Sequence, residues 1–227
     1  METFSIRELY QLQIDEIWND PLYSNIEVLQ RGYAVHDRIK KDSILFLGIN
    51  PSFSGNPKSI SHFININESQ KNHPYFNRFK DISLKTKLSW THYDLFFFRE
   101  TRQNFILQLL KDPVGADFLF KQLVLSKKVI LHAQPKIIVV SNTLSRHFMG
   151  FDKNREKNTG VWMDFDFLFD QEIGTYRITN TELQNVPVFF TSMLTGQRAL
   201  DNGSYERLIW HIKFVLQKLE GSIPDPG

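Results

Sequence analysis

The chain of 227 residues contains no cysteine. Disulfide bonds, thiolate zinc sites and thiol redox chemistry are therefore excluded. Its seven histidines show neither His-x-His nor His-x-x-x-His spacing. That spacing would place two imidazoles beside one metal ion, so the sequence predicts no metal site and no cofactor. The glycine-rich loops that bind nucleotide phosphates and the Gly-x-Ser-x-Gly nucleophile turn are also missing.

Long hydrophobic runs and an excess of charge of one sign are missing as well. No stretch approaches the roughly 20 apolar residues that span a membrane. Glu2, Arg7 and Glu8 interrupt any apolar run of the secretory type near the N-terminus. We therefore expect a cytoplasmic protein with no membrane partner. The 27 basic and 25 acidic residues give a net charge of +2, which neither requires nor excludes a polyanionic partner.

Apolar residues are plentiful: they make up 41% of the chain, and 20 residues are phenylalanine. This composition is typical of a globular protein with a sizeable core. The length and pattern predict a single α/β domain over residues 1–220, with a flexible tail at 221–227. A monomer is the favoured state.

Buried strands and amphipathic helices alternate along the chain. Short apolar runs predict strands at 43–49, 93–98, 136–141 and 187–191. Helical spacing and capping patterns predict helices near 6–18, 74–88, 102–111, 117–132, 142–148 and 205–219. Residues 161–169 and 176–178 are expected to form a hairpin or excursion. This order favours a three-layer sandwich, with a short, mostly parallel four-stranded sheet and helices on both faces.

The first strand ends abruptly in Gly48-Ile49-Asn50-Pro51-Ser52. Pro51 biases Asn50 toward an extended conformation, and Gly48 allows close approach of other groups. Because ligands of open α/β sheets bind at the carboxyl ends of strands, Asn50 is the first candidate for chemistry. The alternative is that Asn50-Pro51 is an ordinary turn.

Two further segments are expected at the same edge of the sheet. Residues 99–101 follow the second strand, and residues 191–198 follow the fourth. Parallel strands bring their carboxyl ends together, so these segments should surround the loop at 48–52.

Gly48-Ile49-Asn50-Pro51 resembles the first motif of the uracil-DNA glycosylase superfamily, most closely its mismatch-specific and thymine-DNA glycosylase branches. Ser52 stands where the family motif ends in glycine. The resemblance, which spans roughly residues 40–219, implies a uracil-DNA glycosylase-like fold and DNA as the partner. It implies that Asn50 positions the water that attacks the sugar as the base departs. Gly48, Ile49, Pro51 and Ser52 would then shape the substrate pocket.

The family also stacks the extruded base on a phenylalanine about a dozen residues after its motif. Phe63 lies at that spacing, with Phe53 as an alternative and core packing as the other interpretation of Phe63. The asparagine with which the family reads the base is missing, and Phe98 or Arg99 occupies its region. Arg99 is therefore a candidate substrate-binding residue, unless it forms a structural ion pair with Glu100.

The second family motif, His-Pro-Ser-Pro or a variant, is replaced here by residues 191–196, which contain no histidine. Hydroxyl groups of this loop can hydrogen-bond phosphate, and an apolar side chain can fill the space that the base vacates. The candidate DNA-binding residues are Thr191, Ser192, Met193, Leu194, Thr195 and Arg198.

The sequence thus leads to one expected function and two alternatives. The expectation is a metal-independent DNA glycosylase that hydrolyses the N-glycosidic bond of uracil or a related damaged or mismatched base. One alternative is a non-catalytic nucleic-acid-binding module of the same fold. The other is an α/β enzyme that acts on free nucleosides or nucleotides.

Overall fold

A computed structural model of the protein describes residues 2–53, 62–65, 74–151, 161–196 and 199–221. The strands are β1 (Thr3–Ser5), β2 (Ala34–His36), β3 (Arg38–Lys40), β4 (Ile44–Gly48), β5 (His62–Ile64), β6 (Trp90–Asp94), β7 (Ile137–Val140), β8 (Phe167–Asp170), β9 (Thr175–Ile178) and β10 (Pro187–Phe190). The α-helices are α1 (Ile6–Asn19), α2 (Asn77–Thr86), α3 (Asn104–Leu109), α4 (Pro113–Ala133), α5 (Thr143–Met149) and α6 (Asn202–Leu219). Short 3-10 helices cover Pro21–Tyr23, Glu27–Arg31 and Pro74–Phe76.

The α/β class is confirmed, but the central sheet is larger than predicted. It has six strands in the order β6-β4-β7-β10-β9-β8. The first four are parallel neighbours, whereas β9 and β8 are antiparallel additions. The predicted hairpin is therefore part of the sheet, because β9 pairs with the otherwise open edge of β10. The expectation of a four-stranded sheet is corrected to a mixed sheet of six strands.

Both faces of the parallel strands are buried. Along β4, Leu45 and Leu47 belong to the apolar cluster that contains residues of α4. Ile44 and Phe46 alternate with them and belong to the opposite cluster, which contains residues of α2 and α6. This two-sided burial explains why the strand sequences are continuously apolar.

The second predicted strand ends earlier than its apolar sequence indicates. Pairing with β4 stops at Asp94, although the apolar run continues to Phe98. The following backbone is held by buried polar residues of α4. Phe97 N–H donates to Gln122 Oε1 at 2.8 Å, and Ser126 Oγ donates to the Leu95 carbonyl at 2.7 Å. The predicted strand at 93–98 is therefore corrected to Trp90–Asp94. Beyond it, the Leu95 and Phe96 N–H groups still donate to the Gly48 and Ile49 carbonyls, while the buried side chains of α4 satisfy other backbone groups of the segment.

Helix boundaries follow local capping chemistry. The Ser5 side chain accepts a hydrogen bond from the Glu8 N–H at the start of α1, as its capping pattern predicts. Asn142 caps α5 by accepting from the Leu144 N–H. None of the helices among the described residues is long and apolar enough to cross a bilayer.

A small parallel sheet of β2 and β5 lies beside the segment that follows β6. His36 of β2 pairs in register with Ile64 of β5. The Ala34 N–H donates to the Phe97 carbonyl at 3.0 Å, which fixes β2 against that segment. This packing brings His36 of β2 to the edge of the main sheet where β4 and β6 end.

Candidate functional site

A cavity of about 430 Å³ lies beyond the carboxyl ends of the four parallel strands. Its lining includes Gly48 after β4, Asp94 at the end of β6, Ser141 after β7 and Met193 after β10. The chain passes from β4 to β6 on one side and returns to β7 on the other, so the cavity lies at a topological switch point. Segments 48–52 and 99–101 both line it, as their positions after the strands predict.

Asn50 lines this cavity with its amide held in one orientation. Its Nδ2 donates to the Pro51 carbonyl at 3.0 Å and to the Glu100 carbonyl at 2.6 Å. Because both partners are acceptors, only the NH₂ end of the amide can face them. The Oδ1 atom is therefore the end of the amide that remains to accept a hydrogen bond from a water or a ligand.

Gly48 is required by its neighbours across the sheet. A Cβ at this position would lie 2.1 Å from Asp94 Oδ1 and 3.1 Å from His92 Nε2. Any side chain here would collide with the Asp94 carboxylate. The sequence predicts that other groups approach Gly48 closely. The structure identifies these groups as the Asp94 and His92 side chains.

His36, His92 and Asp94 form a buried cluster in the cavity wall, which the sequence analysis did not predict. His36 Nε2 is 3.6 Å from Asp94 Oδ2, and His92 Nε2 is 3.8 Å from Asp94 Oδ1. The side chains of His36, His92 and Asp94 are 9%, 2% and 10% exposed. One local signal was available, because His92 and Asp94 are two residues apart on one strand and share a face. His36 comes from the separate β2–β5 sheet, so no spacing could reveal it.

Burial and neighbouring groups shift the pKa values of His92 and Asp94 in this cluster. Burial lowers the pKa of His92 to about 4, against the opposing effect of Asp94, so the imidazole is neutral near pH 7. Burial acts in the other direction on Asp94. The neighbouring His92 and His36 outweigh it, and the pKa of Asp94 remains below its usual value.

Glu100 is buried at the cavity edge and pairs with arginines other than its neighbour Arg99. Its carboxylate accepts from Arg31 Nη1 at 2.8 Å and lies 3.4 Å from Arg102 Nη2. Burial alone would raise the pKa of Glu100. Hydrogen bonds from the Arg102 N–H and from the Arg31 and Arg102 side chains outweigh it and lower that pKa to about 2.

Arg99 lines the cavity with part of its guanidinium unpaired. Its Nη1 is buried and has no hydrogen-bond partner among the residues that the structure describes. The guanidinium lies over the Phe53 ring, 5.4 Å from its centroid. The predicted alternative of an Arg99–Glu100 ion pair is replaced by the Arg31 and Arg102 pairs of Glu100. Arg99 therefore remains a substrate-binding candidate.

Phe63 does not line the cavity, whereas its neighbours His62 and Ile64 do. Side chains alternate along a strand, so the Phe63 ring points to the other side of β5. There it packs edge-on against Tyr33 with 5.7 Å between ring centroids. This location fits the core-packing alternative for Phe63. The aromatic residues that do line the cavity are Tyr75 and Phe76.

Of the described residues 191–196 of the loop after β10, Met193 lines the cavity. Leu194 is 1% exposed and packs in the core, so it is not available as a wedge. Its carbonyl accepts from Arg78 Nη1 at 3.0 Å.

The other predicted residues of this loop occupy varied environments. The Thr191 N–H donates to the Val140 carbonyl, Ser192 is exposed, and the Thr195 side chain hydrogen-bonds to Tyr75. Arg198 lies outside the described residues.

Comparison of the chain with protein-family profiles, curated proteins and solved structures finds no match.

Proposed function

We propose that this protein is a DNA glycosylase-like hydrolase that cleaves the N-glycosidic bond of uracil or a related damaged or mismatched base. The observation that carries the proposal is the fixed Asn50 amide, whose Nδ2 is bound by two carbonyls. Its Oδ1 can hold a water against the sugar C1′ while the bond to the base breaks. Such reactions pass through an oxocarbenium-like transition state, for which a positioned water is the needed nucleophile.

The cavity has the size and the walls that an extruded base requires. Its volume of about 430 Å³ is in the range of small-molecule sites. Tyr75 and Phe76 put aromatic rings in the cavity wall, where a base could pack, the role first expected of Phe63. The unpaired Nη1 of Arg99 can donate to a base carbonyl or to a phosphate oxygen.

The architecture supports the same proposal at the level of the fold. Parallel strands with helices packed on both faces are what the proposed uracil-DNA glycosylase-like sandwich requires. The antiparallel β8–β9 pair would be an addition to that sandwich on the side away from β4.

The test is a base-release assay on single- and double-stranded oligonucleotides that carry uracil, hypoxanthine or a thymine mismatch. Asn50→Ala should lower the release rate at least about 100-fold, since the positioned water is lost. Asn19→Ala, an exposed asparagine at the end of α1, is the matched control and should behave as wild type. Equal rates for Asn50→Ala and wild type would contradict the mechanism, and no release from any substrate would contradict the function.

A second candidate, hydrolysis of free nucleosides or nucleotides, is favoured by one observation. Leu194 is buried and Met193 faces the cavity, so the 193–194 pair presents no free apolar wedge to a duplex. The same Asn50 chemistry would then act on a monomer. Including nucleosides and nucleotides in the assay decides between the two, because only this candidate predicts base release from a monomer without affinity for duplex DNA.

A further inference from the structure

The cluster of His36, His92 and Asp94 contains buried polar atoms that lack ordinary partners. Neither ring nitrogen of His92 has a hydrogen-bond partner in the described part of the chain, and neither has Nδ1 of His36. The contacts of Asp94 with the two imidazoles, at 3.6 and 3.8 Å, are longer than hydrogen bonds. Buried groups left in this state are costly, and a bound ion would satisfy one ring nitrogen of each imidazole.

We propose that His36, His92 and Asp94 bind a divalent transition-metal ion in the wall of the cavity. Two imidazoles and one carboxylate are a ligand set found at catalytic zinc and non-haem iron(II) sites. The site is independent of the glycosidic chemistry proposed above, since it follows from the donor atoms alone.

The spacing of the donor atoms fits an ion with small adjustments. One donor atom from each residue lies within 4.8 Å of the other two. Two ligands at about 2.1 Å from a tetrahedral zinc lie about 3.4 Å apart, so side-chain movements of about 1 Å or less would close the set. Because Gly48 has no side chain, the Asp94 carboxylate and the His92 ring can lie next to each other at this end of the strands.

The charge of the cluster also favours a cation. Asp94 places a carboxylate in a site that is 10% exposed, with only the two imidazoles as charge partners within 4 Å among the described residues. A dication bound between the carboxylate and the two imidazoles would add the full positive charge that a buried carboxylate favours.

The surroundings of His92 resemble the apolar shell of a metal site. The Phe76 and Phe79 rings lie 5.6 and 5.5 Å from the His92 ring, and Tyr75 lies 6.0 Å away. Such a shell limits water access and strengthens the interaction between ion and ligands.

The open side of the site determines what it would bind. Three protein ligands leave a position for water or for a substrate oxygen, and that position faces the cavity that Arg99 also lines. The ligand class that fits is a small molecule or nucleotide with an anionic oxygen, such as a phosphate. Imidazole nitrogens favour zinc, copper, iron or nickel over magnesium, calcium and manganese. Zinc is the ion to test first.

The test measures zinc binding to the chelator-treated full chain by equilibrium dialysis with elemental analysis and by titration calorimetry. Wild type should bind one zinc ion per chain. Asp94→Asn and His92→Gln should each weaken zinc binding at least about 100-fold, because even outer partners of metal ligands contribute 10–100-fold. His62→Gln, a cavity-lining histidine outside the cluster, is the matched control and should keep wild-type affinity.

Two further measurements on the wild type do not depend on the folding of any variant. Co²⁺ should give the intense visible absorption of a low-coordinate ion, and excess zinc should raise Tm. Circular dichroism establishes whether each variant is folded before its affinity is interpreted. Substoichiometric zinc on wild type would overturn the site. So would equal weakening by His62→Gln and Asp94→Asn, or unchanged binding in both cluster variants.

Discussion

At the scale of single residues, two positions of the 48–52 loop shape the site: Asn50 presents an amide oxygen to the cavity, and Gly48 lacks a side chain. Asn50 offers one amide oxygen, because its NH₂ group is committed to the Pro51 and Glu100 carbonyls. Gly48 offers only space, and that space is filled by Asp94 and His92. Within one short motif, Asn50 thus supplies a hydrogen-bond acceptor, whereas Gly48 leaves room for the Asp94 and His92 side chains.

Gly48→Ala should destabilise the protein by about 1–3 kcal/mol, because the new methyl group would overlap the Asp94 carboxylate. Urea unfolding measures this change in the free energy of unfolding. Gly203→Ala is the matched control, since its new Cβ would meet only the exposed Asp201 side chain, and it should stay within about 0.5 kcal/mol of wild type.

The cause of the Gly48→Ala effect can be isolated with a double-mutant cycle. In an Asp94→Ala background the methyl group meets no carboxylate, so the same glycine substitution should cost less. Strictly additive free energies for the two changes would show that Asp94 is not the group that Gly48 accommodates.

At the scale of secondary-structure elements, α4 holds the segment that follows β6. Gln122 and Ser126 are one turn apart on the helix and both are fully buried. They bind the backbone at Phe97 and Leu95, and the Ala34 N–H of β2 donates to the Phe97 carbonyl. The apolar run from Leu95 to Phe98 is therefore held between α4, β2 and the end of β4. An apolar sequence alone cannot show whether residues 95–98 continue the strand or form a buried segment after it, because both conformations bury the side chains.

Gln122→Met should destabilise the fold by about 1–3 kcal/mol, since it keeps the side-chain volume but leaves the buried Phe97 N–H without its acceptor. Gln217→Met, the same change at an exposed position of α6, should alter the free energy of unfolding by less than about 0.5 kcal/mol. Thermal or urea unfolding of both variants makes the comparison. Equal stability for the two would mean that the Gln122 hydrogen bond contributes nothing to holding this segment.

At the scale of the whole molecule, Glu100 links segments that are far apart in sequence. It binds Arg31 of the 3-10 helix Glu27–Arg31 and Arg102 beside α3, while its own carbonyl holds Asn50. One buried carboxylate therefore ties the N-terminal part of the chain to the cavity.

This linkage predicts an acid-sensitive stability. Because the pKa of Glu100 is lowered to about 2 in the folded protein, its ionisation stabilises the fold above the unfolded value of about 4.5. That contribution is lost as pH falls through about 2. Glu100→Gln should cost about 3 kcal/mol at pH 7 and about 1 kcal/mol at pH 3, as measured by urea unfolding.

Glu206→Gln is the control for the pH series. Its exposed carboxylate pairs with Lys85 at the surface, so the change should be well under 1 kcal/mol. A Glu100→Gln deficit that stays constant from pH 7 to pH 3 would contradict the proposed role of its charge.

The amino-acid sequence by itself determined the features that depend on neighbours along the chain. The Ser5 cap and the apolar strand at 44–48, which ends just before Asn50-Pro51, follow from local spacing and backbone restriction. The alternation of helices and strands then indicated the α/β class, and the rule that strand ends face ligands indicated the cavity.

Only the tertiary structure decided the features that depend on packing between distant segments. Strand alternation places the Phe63 side chain on the opposite side of β5 from His62 and Ile64. Packing of Phe63 against Tyr33 leaves His62 and Ile64 on the side that lines the cavity. The open edge of β10 decided that the β8–β9 pair joins the sheet. The docking of β2 beside β6 brought His36 to His92 and Asp94, because side-chain volumes and long-range backbone hydrogen bonds fix such positions and no spacing along the chain records them.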